Sequence, residues 1–93
     1  KSHWKFIHKL IIDKIFKIGV LERIIKEIDE TIIQNVTTFD VYEGENIPSD
    51  KKSVAINVTL QATNKTLNEK DLDQISKKII EVVQAKTGAT IRS

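Results

Sequence analysis

Between Ser53 and Leu60 every second residue is a large aliphatic: Val54, Ile56, Val58 and Leu60. Ser53, Ala55, Asn57, Thr59 and Gln61 form the other row. Successive side chains of a strand point to opposite faces, so the stretch 53–62 predicts a strand with one buried face. Its small and polar second row predicts that no helix covers the other face. A run rich in Thr and Val predicts the central strand segment over 32–42. There Phe39 and Val41 are expected to point inward, and Asp40 and Tyr42 outward. Residues 43–52 collect Gly44, Asn46, Pro48, Ser49 and Asp50 and read as an exposed, mobile hairpin loop.

Two other stretches change period. Leu21, Ile24, Ile25 and Ile28 make an apolar stripe, with Glu22, Arg23, Lys26 and Glu27 on the wet side, predicting a helix over 20–29. Leu72, Ile75, Ile79, Ile80 and Val83 repeat the pattern. That second helix has clear boundaries. Asn68 is placed to cap its start with Asp71 three residues on, Leu67 to staple onto Leu72, and Gly88 to end it. Residues 89–92 then read as a short last strand. The N-terminus is ambiguous. Residues 1–5 look like a lead-in, and 6–13 reads as a strand with Phe6, His8, Leu10 and Ile12 on one face and Lys9 and Ile11 on the other. Trp4, Ile7, Ile11, Ile15 and Ile18 also recur at near-helical spacing, which allows one long helix over 4–28. Gly19 argues for a break only weakly, since glycine costs a helix about 1 kcal/mol.

The order β-α-β-β-α-β is that of an α+β, ferredoxin-like sandwich: a four-stranded antiparallel sheet with two helices on one face. At 93 residues the chain has room for one domain, 1–93, and one modest core. The order alone leaves metal carriers, small-molecule sensors and RNA binders open. The uncovered face is a recurrent site for RNA bases in such sheets.

Charge and chemistry narrow this. The net charge of +2 is scattered, too mild to announce a nucleic-acid partner. The absence of cysteine excludes a disulfide framework and a thiolate metal site. No apolar run is long enough to cross a bilayer, and the start has no signal-peptide layout. A chain that begins at Lys1 and holds no methionine reads as an excised or processed piece. No catalytic motif, phosphate cradle or metal-ligand set is present, and no cofactor is expected. His3 and His8, five residues apart with no carboxylate cluster beside them, do not read as metal ligands.

What remains is a patch. Asp40, Tyr42 and Ser53 share the outward parity of two neighbouring strands. A phenol ring can stack on a flat ligand while a carboxylate and a hydroxyl take its hydrogen bonds. Each alone has a plainer reading: Tyr42 as cross-strand packing, Asp40 as a solvated or lysine-paired acid, Ser53 as an ordinary strand start. Lys51 and Lys52 are either phosphate anchors or a solvated hairpin end. Arg92 faces either an RNA backbone or water.

From about residue 13 to 93 the sequence resembles the ferredoxin-fold anticodon-binding domain that closes the β subunit of bacterial phenylalanyl-tRNA synthetase and also ends the single-chain mitochondrial enzyme. The matching stretches are Phe39-Asp-Val-Tyr-Glu-Gly44, Lys51-Lys-Ser-Val-Ala55, Asn57-Val-Thr-Leu-Gln61, Lys65-Thr-Leu67 and Thr87-Gly-Ala-Thr-Ile-Arg92. The resemblance implies that the partner is the anticodon stem-loop of phenylalanine tRNA. The wobble guanine would stack on Tyr42 and bond to Asp40 and Ser53. It further implies a parent ligase that uses ATP and Mg²⁺ elsewhere, contacts to the rest of the β subunit and to an α subunit, no membrane, and a bacterial cytoplasmic or, alternatively, mitochondrial location. The first strand departs from the family. The usual Arg-Asp pair falls on Phe6-Ile7, and the usual apolar-Ala-apolar run falls on His8-Lys9-Leu10, so Lys9 stands where a small residue sits beside the base. Lys9 would there reach a phosphate or block the base. A non-native segment, a shifted register and genuine divergence all remain open for it. From another class, a ferredoxin-like protein-interaction module is the competing reading, and a truncated synthetase relic with an altered first strand a third.

Overall fold

The computed structural model describes residues 4–62 and 66–92. Its elements are β1 (Trp4–Asp13), α1 (Ile18–Lys26), β2 (Ile33–Tyr42), β3 (Lys51–Leu60), α2 (Glu69–Thr87) and β4 (Thr90–Ile91). The strands form one sheet in the order β2-β3-β1-β4, with every neighbouring pair antiparallel. The ferredoxin-like α+β arrangement expected from the element order is therefore present. His3, Lys65 and Ser93 lie outside the described residues.

The core follows from parity. Leu10 and Ile12 from β1, with Val54, Ile56, Val58 and Leu60 from β3, face one way. They meet Leu21 and Ile25 of α1 and Leu72, Ile75, Ile79 and Val83 of α2 in one cluster. The four β3 side chains are fully buried, each contributing about 1.5–3 kcal/mol of transfer free energy. β3 supplies so much because it is interior to the sheet and its one covered face lies under both helices. α2 begins and ends as its sequence signals require. The Asn68 side chain accepts from the Asp71 N–H at 2.9 Å, and the Asp71 carboxylate accepts from the Asn68 N–H at 3.1 Å. Gly88 closes the helix at φ 72°, a left-handed conformation that glycine adopts without a Cβ clash.

The N-terminal ambiguity resolves as strand. Trp4 and Lys5 belong to β1 rather than to a lead-in, and the long helix over 4–28 does not form. Ten residues of β1 pair continuously with β3, and burying His8, Leu10 and Ile12 together favours period two over period 3.6. The break falls at residues 14–17, so Gly19 sits inside α1, which starts and stops earlier than its stripe suggested. His8 occupies an inward position and is 9% exposed, its ring edge-on to Phe6. Its Nε2 has no hydrogen-bond partner, and burial pushes its pKa below the ordinary histidine range.

Two expectations for residues 32–42 fail. The segment is an edge strand, not a central one. Phe39 does not take an inward position: it is 57% exposed. The cause is a bulge. Thr38 pairs with Ile56 and Asp40 with Ala55, so Phe39 is an extra residue without a partner in the ladder. Val41 pairs with Val54 and takes the inward parity expected of it, but at the open end of an edge strand little covers it and it is 47% exposed. Thr38 takes the last inward position before the bulge, and its hydroxyl donates to Glu22 of α1 at 2.7 Å. The hairpin loop 43–50 is less open than its composition implies. Ile47 is buried, and Lys14 N–H donates to the Asp50 carbonyl at 2.9 Å.

Candidate nucleic-acid interface

The uncovered face is a grid whose rows follow the strand register. One row runs Asp40 on β2, Ala55 on β3 and Lys9 on β1. The next runs Tyr42, Ser53 and Ile11. Arg92 joins the first row from just beyond β4, its backbone N–H donating to the Lys9 carbonyl at 2.7 Å. Lys9, Asp40, Tyr42, Ser53, Ala55 and Arg92 line one shallow cavity of about 320 Å³. The bulge at Phe39 sets this up, because it returns Asp40 and Tyr42 to the open face after Thr38 has pointed at α1.

Ala55 is the floor. It is 5% exposed on a face no helix covers, so the longer side chains around it shade it. A larger residue would occupy the space they enclose. Tyr42 is the wall. It is half-exposed, and its hydroxyl makes only a long contact of 3.4 Å to the Glu45 carbonyl. Its ring is instead bounded by the turn. A Cβ on Gly44, at φ 143°, would lie 3.0 Å from the Tyr42 hydroxyl, so glycine lets the backbone approach the ring there. Neither Ala55 nor Gly44 was singled out as a site residue from sequence. The signal existed in both: the smallest member of an alternating row, and a glycine two residues past the aromatic.

The lysines of the hairpin separate. Lys51 keeps the open-face parity two residues before Ser53 but does not line this cavity, and it is in an ion pair with Asp13 at 2.5 Å. That hydrogen bond holds its ammonium above the ordinary lysine range. Lys52 does not reach this face. It is 8% exposed and donates to the Phe16 carbonyl at 2.8 Å. Adjacent strand residues point to opposite sides, so the two cannot both be phosphate anchors, and Lys52 is a buried lysine that satisfies a loop carbonyl. Among the described residues no three His, Asp or Glu side chains group to hold a metal ion, and no helix is long and apolar enough to cross a membrane.

Residues 9–92 match the model of the ferredoxin-fold anticodon binding domain. The chain is 40% identical over 83 residues to the phenylalanine–tRNA ligase beta subunit of Bradyrhizobium diazoefficiens, covering 89% of this chain and 10% of that protein. It is 37% identical over 83 residues to the subunit of the same name from Bacteroides fragilis, again 89% and 10%. The subunit from Carboxydothermus hydrogenoformans is 33% identical over 84 residues, 90% and 10%. The chain thus spans about a tenth of the length of the curated relatives it matches. A match over nearly all of the chain, on the fold its register builds, makes it a member of the ferredoxin-fold anticodon-binding domain family.

Proposed function

We propose that this chain is the tRNA-reading domain of a phenylalanine–tRNA ligase β subunit, and that its open face binds the anticodon loop of phenylalanine tRNA. One observation carries the reading. An acid, a phenol and a hydroxyl from two adjacent strands line one cavity on the side the helices leave bare. The wobble guanine stacks on Tyr42. The Asp40 carboxylate accepts from guanine N1–H and N2–H₂, a donor pair adenine does not present, and the Ser53 hydroxyl donates or accepts beside it. Lys9, Arg92 and Lys51 supply cationic contacts that position the loop without reading it. The domain does no chemistry itself. Ligation, with its ATP and Mg²⁺, belongs to the rest of a bacterial cytoplasmic enzyme, with which it acts alongside an α subunit.

The test is a titration of this chain with the anticodon stem-loop, followed by amide shifts of Tyr42 and Ser53. Tyr42→Ala is expected to weaken binding by about 1–3 kcal/mol, the range for one stacked base. Asp40→Ala should weaken it and relax the preference for guanine over adenine at the wobble position. Full affinity in both variants would refute the assignment. Shifts confined to the β2 edge on adding a protein partner, with none on adding RNA, would favour an interaction module instead.

A further inference from the structure

We propose that Lys9 and Arg92 together form a phosphate clamp, so that the cavity takes a nucleotide with its phosphate and not a bare base. This rests on the reading of Tyr42, Asp40 and Ser53 as a base site. The register places the two cations side by side. Leu10 pairs with Ile91, and Arg92 N–H donates to the Lys9 carbonyl, so Lys9 on β1 and Arg92 just beyond β4 stand opposite each other. Like charges in directly opposed positions repel and disfavour the free fold. No carboxylate relieves them: among the described residues the ion pairs are Lys14 with Glu43 and Lys51 with Asp13. Both cations are exposed and both line the cavity. An anion held between them removes the repulsion, and among the described residues no acid pairs with either.

The chemistry of the pair suits a phosphate. A guanidinium presents a planar fork to two oxygens, and an ammonium adds a point charge for a third. The placement suits a nucleotide. Lys9 lies in the same row as Asp40 with only Ala55 between them, two strand spacings or roughly 10 Å away. That is a span a nucleotide covers from the hydrogen-bonding edge of its base to its phosphate. The small floor residue leaves the path between them clear.

The chain is titrated with guanosine, guanosine 5′-monophosphate, guanosine 3′-monophosphate and inorganic phosphate, followed by NMR. One monophosphate is expected to bind about tenfold tighter than guanosine, as charge-assisted contacts allow, and its identity tells on which side of the base the clamped phosphate lies. Lys9→Gln and Arg92→Gln, each checked for retained spectral dispersion, should bring that ratio to about threefold or below, and added salt should shrink it. Monophosphates that bind no tighter than guanosine overturn the clamp, as does an advantage that survives in both variants. Guanosine binding that is lost in Tyr42→Ala, with no monophosphate advantage, leaves the base site standing and the clamp refuted. Inorganic phosphate bound through Lys9 and Arg92, without any response to guanosine, supports the clamp and refutes the base site.

Discussion

Replacing His8 by leucine is expected to stabilise the fold and to flatten its response to mild acid. His8 takes a β1 position between Phe6 and Leu10 on the helix side. Its Nε2 is buried without a partner. An unsatisfied buried polar atom costs about 1–3 kcal/mol, and the imperfect fit of a new side chain takes back up to about 1.5 kcal/mol. The net expectation at pH 7.5 is a gain of about 1 kcal/mol, or 4–8 °C in Tm for a chain of this size. The pH arm has a definite sign. Burial lowers the His8 pKa in the folded chain, so above the unfolded value of about 6.5 neither state is protonated and stability is unaffected. As the pH falls below that value the unfolded chain binds a proton that the folded chain resists. Stability is then lost, by at most about 1.4 kcal/mol per pH unit, until the folded pKa is passed. Urea unfolding at pH 7.5, 6.5 and 5.5 measures this directly, and the difference between the two proteins isolates His8 from other titrating groups. Equal slopes between pH 7.5 and 5.5, or a leucine variant clearly less stable at pH 7.5, would defeat the reasoning.

Three further substitutions address the site and the scaffold. Ala55→Leu should leave the fold intact but fill the cavity floor, lowering stem-loop affinity at least tenfold; unchanged affinity in the same titration would mean that the ligand lies elsewhere. Gly44→Ala puts a Cβ against the Tyr42 hydroxyl at φ 143°, so the ring is expected to shift, weakening stem-loop binding more than it changes Tm. Asn68→Ala removes one half of the α2 capping box and should cost about 1 kcal/mol in thermal unfolding, with no change in binding.

How much of this was readable from residues depends on whether neighbours alone decide a position. Val54 to Leu60 alternate so regularly that the sequence indicates both the strand and its buried face. Asn68 and Gly88 act within a turn of their own helix, and their roles are equally plain in the chain. The start of β1 was not, because Trp4, Ile7, Ile11 and Ile15 satisfy two periods at once and only pairing with β3 chooses between them. Phe39 was misplaced because a bulge is a property of two strands. The mismatch between Thr38–Ile56 and Asp40–Ala55 cannot be seen in either strand alone. Local alternation groups Asp40, Tyr42 and Ser53, whereas adjacency pairs Lys52 with Lys51 although its parity sends it to the helices. Ala55 gives little signal in sequence because its role is to be small beneath larger groups.

The unpaired residue at Phe39 gives this edge one residue more than its ladder uses. Residues 37–41 stand opposite only 54–57 of β3, so losing Thr37, Thr38 or Phe39 would remove the bulge and leave Asp40 and Tyr42 opposite Ala55 and Ser53. A second loss in the same stretch would bring Asp40 opposite Ile56 and turn the acid and the phenol toward the helices. The open face therefore has one residue in reserve along β2 before its pattern of side chains turns over.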